Sequence, residues 1–206
     1  MTAPVVGDGA PLLLTLVEDR GRNRLTTFFR AILVIPHLIV LYVLNIVVSV
    51  IVLLAWFAAL FTGRNPDGLR GFTIGVLRWQ TRVGAYYCLL TDDYPPFSLD
   101  AGGYPVDIAV PPAGQLNRLA VFFRFILIIP AALLSIVVAI VLYVLVIVAW
   151  FTGVFAGSVP EGMYGTIAGA LQFSTRYSAY HYLVTPTYPA QLFGPAQLGP
   201  AQSAQS

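Results

Sequence analysis

The chain is 206 residues long, 58% hydrophobic and 10% charged, with a net charge of +2 and one cysteine, Cys88. Soluble domains carry about a quarter of their residues charged, so this composition excludes an ordinary water-facing surface and predicts a membrane protein. The small, scattered positive charge gives no support to a nucleic-acid partner, and a lone cysteine closes no internal disulfide.

Residues 1–10 read as a short lead. Met1-Thr2-Ala3-Pro4 has no basic region, and Glu18-Asp19 follow the run Leu12-Leu13-Leu14, which predicts no cleaved signal peptide. Leu12, Leu14 and Leu16 alternate with the period of a strand that has one apolar face. Arg24-Leu25-Thr26-Thr27-Phe28-Phe29-Arg30 then reads as an interfacial amphipathic turn, and Pro36 is placed to bend or restart the helix after it. Between Arg30 and Arg64 no residue is charged, and Leu38 to Leu60 is interrupted only by Asn45 and Ser49. That run exceeds the roughly 20 residues that cross a bilayer core and shows no polar stripe, which argues against the core helix of a soluble protein. Trp56 is expected at headgroup level. Gly63 reads as a helix stop, and Asn65-Pro66-Asp67 as a fresh start with an N-cap, a first-turn proline and a first-turn acid.

The next helix, Leu69 to Leu90, carries Arg70, Arg78 and Arg82. An arginine at mid-bilayer costs roughly 2.5–3.5 kcal/mol on insertion scales, so this helix either lies on the surface or returns across the membrane with its arginines in a polar seam. The short turn and the small-residue pair Gly71 and Gly75 favour the return.

Shifting the chain by 94 positions superimposes it on itself without a gap. Asn23-Arg24-Leu25 falls on Asn117-Arg118-Leu119, Phe28-Phe29-Arg30 on Phe122-Phe123-Arg124, Ala55-Trp56-Phe57 on Ala149-Trp150-Phe151, and Thr81-Arg82 on Thr175-Arg176. The chain is therefore two copies of one unit, 11–97 and 105–190, joined by a linker at 98–104. Val106, Ile108 and Val110 form the second alternating segment, Pro130 the second proline, and Met163 to Val184 the second return helix, with Gly165 and Gly169. Residues 191–206, rich in Ala, Gln, Gly, Pro and Ser, are expected to be disordered.

The fold class expected is an all-α membrane protein: two tandem repeats of a long transmembrane helix plus an amphipathic return helix, with short extended segments at the cytoplasmic side. Two crossings per unit keep both copies facing the same way, so that the extended segments meet. They also set Arg20, Arg22, Arg24, Arg30, Arg118 and Arg124 against Arg64 and Arg70, which puts the N- and C-termini in the cytoplasm. One crossing per unit with interfacial helices is the alternative.

The block Arg24-Leu25-x-x-Phe28-Phe29-Arg30 with Ile35-Pro36-His37, Trp56-Phe57, Phe61-Thr62-Gly63, Arg78-Trp79-x-x-Arg82 and Asp93-Tyr94-Pro95-Pro96-Phe97 resembles the bacterial membrane-protein family catalogued as domain of unknown function 4389. The resemblance covers both copies, although the second has Gln172 for the first arginine of the pair and Ala131 for the histidine. It implies a bacterial plasma membrane and supplies no activity or catalytic residue.

No constellation carries chemistry. His37 and His181 occupy non-equivalent positions, and no Cys, His, Asp and Glu set has metal-ligand spacing, so neither a metal nor a cofactor is expected. His37 reads as an interfacial polar group, Cys88 as a small buried hydrophobe, and Asp92-Asp93 as acids beyond a helix end. The candidate contacts for anionic lipid or a partner are Arg24, Arg30, Arg118 and Arg124, which Phe28, Phe29, Phe122 and Phe123 accompany. Positive-inside anchoring alone also accounts for these four. Arg78, Arg82 and Arg176 lie well inside helices and call for carboxylates, Asp67 or Asp92-Asp93, or for a phosphate. The function expected is that of a non-catalytic accessory or scaffold subunit in a membrane-protein complex. Binding or transport of an anionic lipid or another lipophile is the alternative.

Overall fold

The computed structural model describes residues 12–190 and the backbone of 197–199. The chain runs through β1 (Leu13–Val17), α1 (Arg24–Leu33), α2 (Ile35–Thr62), α3 (Asp67–Tyr87), β2 (Val106–Ala109), α4 (Arg118–Phe122), α5 (Arg124–Ala156), α6 (Glu161–His181) and β3 (Gln197–Gly199). The expectation of a disordered tail falls outside the described residues except at Gln197–Gly199, which pair with β1 as a parallel strand.

Local chemistry sets most of the boundaries. Asn23 and Asn117 begin α1 and α4, each side chain accepting from the two backbone N–H groups that follow one residue on. Only Val34 separates α1 from α2, with Pro36 in the first turn after it. In the second copy the break falls at Phe123 and Pro130 lies inside α5, so the proline does not restart the helix there. Gly63 and Gly157 close α2 and α5 in the left-handed conformation, at φ 73° and 72°. A Cβ on Gly63 would meet only ordinary contacts, so Gly63→Ala is expected to cost about 1–2 kcal/mol from backbone strain alone, read by thermal unfolding in detergent. Asn65 is not the N-cap of α3. Pro66 holds that position without a side-chain bond, while Asn65 is buried and donates to the Leu183 carbonyl at 3.0 Å.

The core is formed by the more polar helices. α3 and α6 lie antiparallel: Arg70 at the start of α3 donates to Val184 O at 3.1 Å, and Tyr164 at the start of α6 donates to Leu90 O at 3.0 Å. Midway the hydroxyls of Thr81 and Thr175 meet at 3.3 Å. In the sheet, β1 and β2 pair antiparallel with Leu14 opposite Ile108. Both of these pairs are repeat counterparts, so a pseudo-two-fold axis passes through them, perpendicular to the helices. Along one face α2 packs on α3 through Val34, Leu41, Trp79, Val83 and Tyr86, and α5 packs on α6 through Val138, Ala170 and Phe173.

Each long helix thus runs against its own return helix, and α2 and α5 run in opposite directions. The expectation that both copies face the same way is corrected here. Paired strands do not require it, because they meet alongside the middle of α3 and α6: Arg176 reaches Leu12 O at 2.8 Å, and Leu14 N reaches Gln172 at 3.4 Å. The six-to-two division of arginines falls with it. Arg22 and Arg24 sit at the Gly157 end of the bundle, Arg30 at the C-terminus of α3 beside them, and Arg70, Arg118 and Arg124 at the Gly63 end.

The short helices are exchanged between copies. Phe28 of α1 packs on Trp150 of α5 at 5.8 Å, and Trp56 of α2 donates to Val121 O of α4 at 2.8 Å. Both tryptophans anchor the other copy's entry helix. Gly71, Gly75 and Gly165 do not make the helix contact. Gly71 and Gly165 face open space, and a Cβ on Gly75 would sit 2.9 Å from Leu99 Cβ in a loop. The close approach of α3 to α6 is at Gly84, where a Cβ would lie 3.0 Å from Leu171 Cδ1.

Candidate functional site

Three polar clusters stand out, and the first two hold Arg78, Arg82, Arg30 and Arg124. In the first, Arg78 Nε donates to Asp107 Oδ1 at 2.7 Å and Arg82 Nη2 to Asp107 Oδ2 at 3.3 Å. Arg82 also reaches Gly102 O at 3.1 Å, and Arg78 reaches Leu99 O at 3.3 Å. The partner is therefore Asp107 on the edge strand β2, and neither Asp67 nor Asp92-Asp93. Burial by itself would raise the Asp107 carboxyl, but hydrogen bonds from the Gly102 and Ile108 amides and from Arg78 outweigh it and hold it below its ordinary value. Asp107 was missed because an acid inside an alternating strand reads as solvated. Its counterpart Leu13 is apolar, and that difference between copies was the available signal.

The second cluster closes the C-termini of α3 and α6. Arg30 donates to Tyr86 O, to Thr91 O at 3.0 Å and to the Asp92 carboxylate, with its guanidinium 4.4 Å from the centre of the Tyr86 ring. Its counterpart Arg124 donates to Tyr180 O at 2.6 Å and Thr185 O at 2.7 Å, 3.9 Å from the Tyr180 ring. Beyond each helix the backbone turns left-handed at a leucine, Leu89 (φ 59°) and Leu183 (φ 58°). Arg22 holds Leu89 O at 2.9 Å, and Asn65 holds Leu183 O. The Arg22 role is marked in the sequence only by its counterpart being Leu116. Arg30 and Arg124 are thus turned inward, while Arg24 and Arg118 remain exposed.

The third cluster belongs to copy one alone. His37, expected at the interface, is fully buried; its Nδ1 accepts from Trp79 Nε1 at 3.3 Å, and its ring stacks on Phe97 at 4.0 Å beside Tyr94 at 4.8 Å. Tyr94 donates to Leu33 O at 3.0 Å, so the group pins the segment after α3 to the α1–α2 joint. Nδ1 as acceptor leaves the proton on Nε2, buried without a partner.

The motifs scattered through the first copy thus converge on the clusters around His37 and Asp107, and the 94-residue shift carries their framework into the second. The family described as "Domain of unknown function (DUF4389)" matches residues 24–98 and again 118–192, two stretches offset by that same shift and together more than half of the chain. The chain belongs to this family. No curated protein and no solved structure matches it. Within the second family copy, Ala131 and Gln172 replace His37 and Arg78, so the aromatic–histidine cluster and the doubly held aspartate exist once.

Cys88, just past α3, is buried and its thiol is pushed up to about 12 by burial. It is expected to stay unlabelled by maleimide in the folded protein at neutral pH and to react fully after denaturation, a difference readable by mass. Among the described residues no group of three or more His, Cys, Asp or Glu is arranged to hold a metal ion.

Proposed function

We propose that this protein is embedded in the bacterial plasma membrane and works without catalysis, as an accessory or scaffold subunit of a membrane complex. The observation that carries the reading is the surface of α2 and α5. Arg24–Thr62 and Arg124–Ala156 are long and apolar enough to cross a membrane, and only 17% of the most apolar stretch of each is buried. Along α2 the exposed face is Ile39, Val43, Ile46, Val50, Leu54 and Phe57; along α5 it includes Leu133, Ile136, Ile140, Val144, Ile147 and Phe151. A face of this extent on a helix cannot stay in water, and it suits lipid tails or another membrane helix. Meanwhile three groups able to do acid, base or nucleophilic work are spent on holding the fold. Asp107 is clamped, Asp92 is bound to Arg30, and Cys88 is buried. The termini are assigned to the cytoplasmic side together with the ribbon, beside which Arg78, Arg82 and Arg176 lie.

A second reading rests on a cavity of about 300 Å³ between α2, the start of α5 and the end of α6, lined by Ser49, Val52, Trp56, Arg124, Phe125 and Tyr182. Here Ser49 stands where the second copy has Tyr143. An apolar chamber beside a buried guanidinium suits the tail and headgroup of an anionic lipid. Purification in mild detergent followed by native mass spectrometry separates the two. A protein partner at fixed stoichiometry supports the scaffold reading. A single bound lipid that is lost on Ser49→Tyr supports the cavity instead, and the scaffold reading fails if no protein accompanies the chain.

A further inference from the structure

The structure also constrains how the molecule sits in the bilayer, given the membrane location proposed above. α2, α3, α6 and α5 run alternately up and down about a pseudo-two-fold axis perpendicular to all four. If they stood upright, that axis would lie in the membrane plane. The β1–β2 ribbon, which runs beside the middle of α3 and α6, would then sit at mid-depth on the side of the bundle. Its edge strand β2, whose outer side pairs with no strand among the described residues, would face hydrocarbon, and the adjoining segment would bring the exposed Asp100 there. Open sheet edges and irregular loops are not tolerated against lipid. The arginines would also divide evenly: Arg20, Arg22, Arg24 and Arg30 at one end against Arg64, Arg70, Arg118 and Arg124 at the other, leaving no positive-inside bias.

Lying flat removes each conflict. With the axis along the membrane normal, the ribbon and the acidic loops face water, and every arginine lies on the same side of the bilayer. α2 and α5, whose residues after Arg124 and throughout Ile35–Thr62 carry no charge, face the other way. Length agrees. α2 with 28 residues and α5 with 33 extend about 42 and 50 Å at 1.5 Å per residue, beyond the ~30 Å hydrocarbon core. A helix about 10 Å across fits within one leaflet of that core, and α3 and α6 then lie at the headgroup level where Arg78, Arg82 and Arg176 are placed.

We infer that the protein does not cross the bilayer: it is immersed in the cytoplasmic leaflet, with α2 and α5 parallel to the membrane plane and the β-ribbon in the cytoplasm. The occupant of the apolar face is a single leaflet of phospholipid.

The test places single cysteines at the two helical turns and on the ribbon side: Arg64→Cys, Gly162→Cys and Asp100→Cys, all at exposed positions. The full-length protein, in sealed inner-membrane vesicles of known orientation, is treated with membrane-impermeant maleimide, with wild type as the Cys88 blank. All three variants should react from the cytoplasmic side and none from the other. Labelling of Arg64→Cys and Gly162→Cys from opposite sides would overturn the inference in favour of upright antiparallel helices. Labelling of both from the side opposite Asp100→Cys would overturn it in favour of parallel hairpins. Release of the wild-type chain from vesicles by alkaline carbonate would instead overturn the membrane reading itself.

Discussion

Replacing Asp107 with leucine should lower stability by about 3–5 kcal/mol, because it takes the carboxylate from both Arg82 and Arg78 and leaves each guanidinium with one backbone carbonyl. The side chains of Arg82 and Arg78 are 1% and 14% exposed, so their charges are poorly hydrated and rely on that carboxylate. Removing one partner of a buried ion pair costs on this scale, whereas exchanging the whole group for apolar packing costs far less. The site related by the pseudo-two-fold axis displays the exchanged form, with Leu13 of the first copy and Gln172 and Arg176 of the second at the equivalent places and Arg176 satisfied by the Leu12 carbonyl. The double variant Asp107→Leu with Arg78→Gln is therefore expected to recover at least half of the loss. Unfolding in mixed micelles measures both, and a single variant within about 0.5 kcal/mol of wild type would contradict the account. The pH dependence has a fixed sign. The folded Asp107 carboxyl lies below its unfolded value, so its contribution is complete above about pH 4 and fades as pH falls through the folded value. The acid limb of the stability profile should shrink in Asp107→Leu.

Arg30→Gln is the second large effect, again about 3–5 kcal/mol. Arg30 is 2% exposed and joins two carbonyls, a carboxylate and the face of a tyrosine at the end of α3. Each carbonyl left without a donor costs about 1–3 kcal/mol, and Asp92 loses its closest cation. Arg30→Lys should recover only part, since a point charge cannot reproduce the planar fork stacked on Tyr86. Arg24→Gln, at an exposed site, should change stability by less than about 0.5 kcal/mol while reducing co-purified anionic lipid. Equal losses from Arg24→Gln and Arg30→Gln would deny the division of these arginines into structural and surface groups.

What the sequence disclosed followed from local rules. The repeat showed because counterparts keep one spacing from Asn23 to Tyr188, the long helices because nothing charged interrupts them, and Gly63 because a helix end favours a left-handed residue. The relation between the copies was not legible. A common shift says that Thr81 and Thr175 are equivalent, but not whether the operation that superimposes them also reverses the chain. The strands were read correctly as partners, and the error lay in placing them beyond the helix ends. Arg30 and Arg124 looked like lipid contacts because sequence records proximity to an apolar run and not the direction of the guanidinium. Their true partners are carbonyls 56 to 61 residues away in the chain. His37 deceived for the same reason: its cage comes from Trp79, Tyr94 and Phe97 in later segments.

The opposed direction of the two copies is the claim on which the exchanged helices and the one-sided apolar face both depend. Spin labels at Asp67, His181 and Glu161, taken in pairs, measure it directly by electron–electron double resonance. The start of α3 lies beside the end of α6, so the pair at 67 and 181 should be close. The pair at 67 and 161 should be separated by roughly the length of a 21-residue helix, about 30 Å. A short distance for 67 and 161 with a long one for 67 and 181 would mean that the copies run parallel, and would contradict the account.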